Sequence, residues 1–312
     1  MGLMVVDSGF WTTVQDAGRT GYREWGVPAG GPFDRGSADL ANALVGNAPG
    51  CAVLELTLRG GVFEALGSLA IGLAGAPMEA FISAAGGRTR PIRVPSSGTL
   101  EAGERLALGR TEGGARTYLA VKDGFKTCPK LGSRSCEQPL CRGDFLPAGT
   151  SFCLARHPGE TFWQDPAADP LRIIDGPETA ALVDPDSLRQ GRFRVGSRSD
   201  RRGLRLDGPP IHVVASADRL SAPVTPGAIQ VAGGQLIILG VASGTMGGYP
   251  HVAHVISADL DRLGQLCPGV HVKLQRITLE HARALDRASR LAQRARSIRL
   301  TSLAKDLCLN EF

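Results

Sequence analysis

Gln15, Asp16 and Arg19 place an amide, a carboxylate and a guanidinium within one short turn. The guanidinium fork matches a carboxylate, and Gln or Asp can orient a water or an amide N–H; the competing use is an Asp–Arg pair that only stabilises the turn. A second cluster comprises Ser197, Ser199, Asp200 and Arg201, with Gln230 on an expected strand. No His–Asp arrangement accompanies these serines, so a nucleophilic triad is not indicated. The third is Thr245-Met-Gly-Gly-Tyr-Pro-His251, where Gly247 and Gly248 leave backbone N–H groups free for an oxyanion or carbonyl ahead of Tyr249. His251 and His254 are three apart on an expected strand and so should face opposite sides, which argues against a joint metal site. Cys128, Cys136, Cys141 and Cys153 cluster, but at no zinc spacing, and seven cysteines without a CxxC pair point to unpaired thiols.

The elements that hold these groups are mostly strands. Gly18, Gly21, Gly26, Gly30 and Gly31, with Pro28 and Pro32, make residues 12–34 a rigid loop. A helix follows, with Asp34 as N-cap, Ala38, Ala41, Leu44 and Val45 on one face, and Gly46 as the stop. "AVLELTL", "LAIGLAG", "MEAFIS", "RPIRV", "GERLALG" and "ARTYLAVKDGF" read as strands, and residues 127–150 as irregular. A Pro/Asp-rich stretch, Arg156–Pro170, has linker composition. Strands resume with "LRIIDGP", and "IQVAGGQLIILGV" reads as a hairpin with a Gly-Gly turn. "HVAHVIS" then meets a short helix at 258–266. Asp16-x4-Gly21-Tyr22-Arg23 and Val27-Pro28-x-Gly30 find echoes in Asp200-x2-Gly203-Leu204-Arg205 and Val224-Thr225-Pro226-Gly227, as two related β domains would produce. From Thr278 the chain turns helical, with an apolar stripe from Leu279 to Ala295 expected to pack on its own barrel. The division expected is 1–160, 161–280 and a basic helical tail at 281–312.

The chain has 312 residues, 41 Gly and 20 Pro, enough for two domains rich in turns. A net charge of +5, concentrated near the C-terminus, does not favour a nucleic-acid partner. No apolar run is long enough to cross a membrane, and the start is strand-like, so the expected setting is cytoplasmic. The chain carries no GxxxxGK[ST] loop, no GxGxxG in strand–turn–helix context and no biotin-attachment Met-Lys-Met.

"TTVQDAGRTGYREWGVPAGGPFDRGSADLANALVGN" with "AVLELTLRGG" resembles the opening signature of the carboxyltransferase-like family. That family takes in the C subunit of 5-oxoprolinase, proteins labelled allophanate hydrolase subunit 2, KipA and part of urea carboxylase. "LGSRS", "SDRRGLRLDGPP", "TPGAIQV" and "GGYPHVAHVISADLDRLGQLCPG" follow in the family's order, extending the likeness over roughly residues 3–280. The resemblance implies a mainly β fold of two tandem cyclophilin-like β-barrels with few helices. It implies the C subunit of an ATP-dependent, multi-subunit 5-oxoprolinase, a hydrolase opening 5-oxoproline to glutamate and inactive without partners. The partners implied are a β-barrel B subunit (KipI-like) and an A subunit. Asp16, Arg19 and Asp200 are the catalytic candidates. Gln15, Asp34, Ser199, Arg201, Gln230, Thr245, Gly247, Gly248 and Tyr249 are the substrate-binding ones.

Arg19 or Arg201 would clamp a substrate carboxylate, with Asp16 or Asp200 for acid–base work. ATP would serve the complex from a site not found in this chain. The alternatives are a biotin-dependent carboxyltransferase acting on urea or a related amide, and a KipA-like regulatory binding protein. Two departures stand out: Met246 where Thr is usual, and Lys122-Asp123 where relatives carry small residues, ahead of a shortened 122–145 region. Loop positions usually tolerate substitution, so Ala at Asp16, Arg19, Asp200 or Tyr249 is expected to cost little stability.

Overall fold

Alternating and β-branched runs dominate the chain, and they form strands in the computed structural model, which describes residues 1–84, 86–158, 163–214 and 219–306. The chain is mainly β, as the sequence indicates. It divides into two compact units, one of Met1–Arg19, Gly30–Asp165 and Gln293–Phe312, the other of Thr20–Ala29 and Pro166–Ala292. Part of the expected linker, residues 159–162, lies outside the described residues.

The first unit holds a six-stranded and a five-stranded sheet. In the five-stranded sheet Trp11–Gln15 and Arg116–Val121 flank Val53–Thr57, with Leu69–Gly75 and Ser96–Leu100 beyond. Leu54, Leu56, Leu69, Ile71, Leu73 and Leu119 point into one core with Leu3, Phe63 and Ile82. Each such side chain contributes about 1.5–3 kcal/mol on full burial. The opposite face carries the Arg35–Leu44 helix, whose Ala38, Ala41 and Leu44 are buried. The strand and helix approach closely because position 72 is glycine: a Cβ there would sit 2.4 Å from the Ala41 carbonyl oxygen. Of "RPIRV" only Arg90 and Pro91 are strand, within Thr89–Pro91 at the sheet edge, where Pro91's missing N–H goes unneeded.

The second unit is built on an eight-stranded sheet containing both antiparallel pairs and one parallel pair, Leu171–Asp175 with Leu274–Arg276. Ala228–Ala232 and Gln235–Leu239 form the expected hairpin, with Gly233 and Gly234 at φ 57° and 81° as a two-residue primed turn requires. Ala222–Pro223 and Met246–Gly247 make a small separate ribbon.

The C-terminal helix spans Leu279–Asp306. Its stripe departs from expectation. Ala282 is buried, but Leu279 and Leu291 are exposed, as are Ala288, Ala292 and Ala295. An alanine face removes little apolar area from water, so packing gains too little to cover it. Residues 307–312 of the expected tail lie outside the described residues.

Candidate functional site

In the first unit the signature loop is organised by the Asp16 carboxylate. Its oxygens accept from Gly18 N–H at 2.9 Å, the Ser133 hydroxyl at 2.5 Å, Arg134 N–H at 2.6 Å and the Ser135 hydroxyl at 2.8 Å. The Ser135 hydroxyl in turn accepts from Asp16 N–H. Two distant motifs, "VQDAG" and "LGSRS", are therefore one structure. Burial alone would raise the Asp16 pKa. The hydrogen bonds from Ser133, Arg134, Gly18 and Ser135 outweigh it and hold the carboxyl below its ordinary value. Asp16 is thus an ionised anchor with its acceptor positions filled, which suits positioning better than proton transfer. Arg19 donates to the Ser135 carbonyl, so the Asp16–Arg19 pair weighed from sequence is not what orders this turn.

The "LGSRS" loop is a tight two-residue turn in which Lys130 and Ser133 exchange backbone hydrogen bonds. Leu131 and Gly132 occupy φ 52° and 76°. A leucine held left-handed, and half exposed, marks a backbone whose shape is fixed by its surroundings, here the Asp16 contacts. Asp123 and Gly124 repeat this geometry at φ 61° and 68°. Asp123 N–H donates to Asn47 Oδ1 and Lys122 Nζ to the Gly46 carbonyl, so these unusual residues seal the end of the helix.

Glu55 fixes the other end of the signature loop. Its buried carboxylate accepts from Phe33 N–H at 2.7 Å, Tyr118 Oη at 2.9 Å and Arg116 Nε at 3.2 Å. Tyr118 Oη also accepts from Asp34 N–H. The Arg116 guanidinium lies 4.7 Å above the Phe33 ring. Burial, then the Glu55 charge, pushes the Tyr118 phenol well above its usual range, so it stays a neutral donor. Asp34 itself caps the helix, accepting from Ser37 N–H at 2.9 Å and the Ser37 hydroxyl at 2.6 Å. A capping carboxylate buried in this way is spent on the helix.

A cavity of about 140 Å³ opens between this loop and the helix, lined among others by Gln15, Asp16, Arg35, Asp39 and Asn42. Gln15 is fully buried. Its Nε2 donates to Thr13 and to the Cys136 carbonyl, while its Oε1 has no hydrogen-bond partner among the described residues. Asp39, which no sequence motif singles out, accepts from Gly50 N–H, yet burial pushes its pKa above the ordinary value. Two carboxylates at one cavity are thereby driven in opposite directions, the pattern that separates an acid from a permanently ionised group. A second cavity, about 350 Å³, is lined by Thr127, Lys130, Arg134, Ser135 and the thiols of Cys128, Cys136 and Cys141. Thr127 Oγ1 and Arg134 Nε are buried without hydrogen-bond partners among the described residues. The six cysteines described are free thiols, and Cys308 lies outside the described residues.

The remaining candidates belong to the second unit. Asp200 accepts from Arg202 N–H at 2.8 Å and Gly203 N–H at 3.2 Å, an Asx turn like that at Asp16. The Ser199 hydroxyl accepts from Arg205 N–H, and Arg201 is buried with its backbone carbonyl receiving Ala242 N–H. Gln230 donates to the Tyr249 carbonyl at 3.0 Å. A Cβ at Gly247 would meet Gln230 Nε2 at 2.4 Å, so this glycine is a packing requirement. Thr245 is buried with its carbonyl accepting Val224 N–H; Gly248 stands beside Ser221, and the Tyr249 side chain is exposed. Arg23, on the turn Arg23–Trp25, donates to the Val224 carbonyl within the same unit. The candidates are thus divided between the units: Gln15, Asp16, Arg19 and Asp34 in the first, the rest in the second.

His251 and His254 overturn the sequence expectation. The strand pairs Gln230 with His251 and Ile229 with Ala253, leaving Val252 as an extra, bulged residue. That bulge reverses the alternation, so both rings fall on one side, with His254 Nδ1 3.4 Å from His251 Nε2.

A mainly β chain carrying these carboxylate-anchored glycine loops has the architecture of a carboxyltransferase-type domain. Residues 25–276 match the family described as carboxyltransferase domain, subdomain A and B, and the chain belongs to that family. It is 32% identical to the C subunit of 5-oxoprolinase from Escherichia coli, over 90% of this chain and 93% of that protein. It is 29% identical to urea amidolyase of Lachancea kluyveri, over 99% of this chain but 19% of that protein. Among solved structures it resembles TTHA0988, with TM-score 0.77 and 34% identity over 88% of this chain and 56% of that one. It also resembles K. lactis urea amidolyase, with TM-score 0.81 and 25% identity over 95% of this chain and 20% of that one.

Proposed function

We propose that this chain is the C subunit of a multi-subunit 5-oxoprolinase, which with partner chains opens 5-oxoproline to glutamate at the expense of ATP. The observation that carries this reading is the match to the C subunit of the Escherichia coli 5-oxoprolinase over nearly the full length of both chains. The first unit offers chemistry suited to a small lactam carboxylate. Arg134 Nε and Lys130 at the larger cavity are cationic groups able to receive a carboxylate. At the smaller cavity Gln15 Oε1 can accept from an amide N–H, and a protonated Asp39 can donate to an amide carbonyl. Asp16, at the smaller cavity, would hold the Ser133–Ser135 segment that lines the larger one. Arg19, Asp200 and the second-unit residues stay candidates for substrate contact.

The residues lining the smaller cavity do not fit a triphosphate, because the ionised Asp16 would repel it and the volume is small. Nucleotide binding is therefore not placed at that cavity. The urea amidolyase relatives favour a second reading, transfer of a carboxyl group to urea from biotin carried by another protein. The test is co-expression with a partner chain of the same β-barrel family, then an assay of ATP-dependent glutamate release from 5-oxoproline, with urea carboxylation run beside it. Glutamate release that requires both chains and is lost in Arg19→Ala supports the first reading, and urea carboxylation the second. A stable complex inactive on both substrates would favour a regulatory module, and full activity from this chain alone would overturn the proposal.

A further inference from the structure

The bulge at Val252 converges two imidazoles within the second unit, and the convergence has the geometry of a chelate rather than of a hydrogen bond. The separation of 3.4 Å between His254 Nδ1 and His251 Nε2 is long for an N–H···N hydrogen bond. Two imidazole nitrogens bound at about 2.0–2.1 Å to one tetrahedral ion stand roughly 3.3–3.4 Å apart.

The outer nitrogens are disposed to match. Backbone groups at Pro226 and at Ala253 bond to the His254 and His251 rings and favour their protonated forms, as carbonyl acceptors of a ring N–H do. A Cβ at Gly227 would lie 3.1 Å from His254 Nε2, which places that nitrogen against the Pro226–Gly227 backbone. With His254 Nε2 held by that backbone, the Nδ1 lone pair of His254 faces His251 Nε2. Ligating histidines are oriented in this manner by carbonyls behind them.

We infer that His251 and His254 form a two-histidine site for a borderline divalent transition ion such as Zn(II) or Cu(II). Among the described residues no third His, Cys, Asp or Glu completes a set. The nearby Glu178 Oε2 is taken by His251 N–H and Arg219. The remaining coordination positions are consequently open to water or a small ligand, and binding is weak and exchangeable.

The test is titration of the metal-stripped full chain with Zn(II) and with Cu(II) by calorimetry. One ion per chain at micromolar concentration is expected. His251→Gln and His254→Gln should each weaken it at least tenfold, while His281→Gln, on the exposed C-terminal helix, leaves it unchanged. Thermal unfolding of each variant checks that the fold survives. If a histidine variant unfolds, Cu(II)-induced broadening of histidine ring proton resonances in the unmodified chain decides instead. Broadening of two histidines with the other four sharp supports the site. Absence of saturable uptake, or uptake that survives both substitutions, overturns the inference and leaves the pair as a strained hydrogen bond.

Discussion

Replacing Asp16 by Ala removes the acceptor of four donors at once. Two belong to Ser133 and Ser135, only 1% and 4% exposed, whose hydroxyls are poorly placed to turn to water. Each buried donor left unpaired costs about 1–3 kcal/mol, and Asp16 itself is only half-buried, so water offsets part of the loss; the net is about 2–4 kcal/mol. For a unit of this size that corresponds to a fall of roughly 5–15 °C in melting temperature. The effect is pH-dependent. A carboxylate whose folded pKa lies below the ordinary 3.8 contributes stability above that value and loses it as pH falls through the folded pKa. Asp16→Asn, which cannot ionise, should therefore be less stable than the parent at neutral pH, and the difference should shrink on acidification. Urea denaturation followed by circular dichroism from neutral pH down to about 3 measures both. If Asp16→Ala melts within a degree or two of the parent and the acid limb does not change, the Asp16 anchor is wrong. The small cost expected for this loop residue would then hold.

Asp39 carries the opposite sign. Its folded pKa is raised by burial, so its stabilising contribution is present at low pH and lost as pH rises through the folded value; Asp39→Asn should be as stable as the parent or more so at neutral pH, by the same denaturation assay. Glu55→Ala strands a buried guanidinium, a phenol and a backbone N–H, and should cost about 3–5 kcal/mol, enough to lower soluble yield and the urea midpoint clearly. Gly247→Ala forces Gln230 away from the Tyr249 carbonyl and should cost about 1–3 kcal/mol, read by thermal unfolding; Met246→Thr, at an exposed position, should stay within about 0.5 kcal/mol.

Most strands were legible from the chain itself, because side-chain alternation is a local property and period 2 survives whatever packs against it. So were the Asp34 cap, the Arg35–Leu44 helix and the Gly233–Gly234 hairpin, each set by residues within a few positions of one another. Residue type also singled out Asp16 and Gln15 as polar groups in a rigid loop. What they touch was not legible: Ser133–Ser135 lies 117–119 residues away, and only folding brings its hydroxyls to the Asp16 carboxylate. Glu55 illustrates the same limit, since a lone Glu in an apolar strand declares neither its burial nor its partners. Asp39 was hidden because helix periodicity counts it as a surface position, while the cavity beside it exists only when the loop folds over. The histidines mark the boundary most clearly. Alternation assigns positions 251 and 254 to opposite faces, and a single bulged residue, selected by pairing with the Ala228–Ala232 strand, puts both rings on one. Local chemistry determines which elements form; register and burial, which depend on the whole fold at once, decide what those elements bring together.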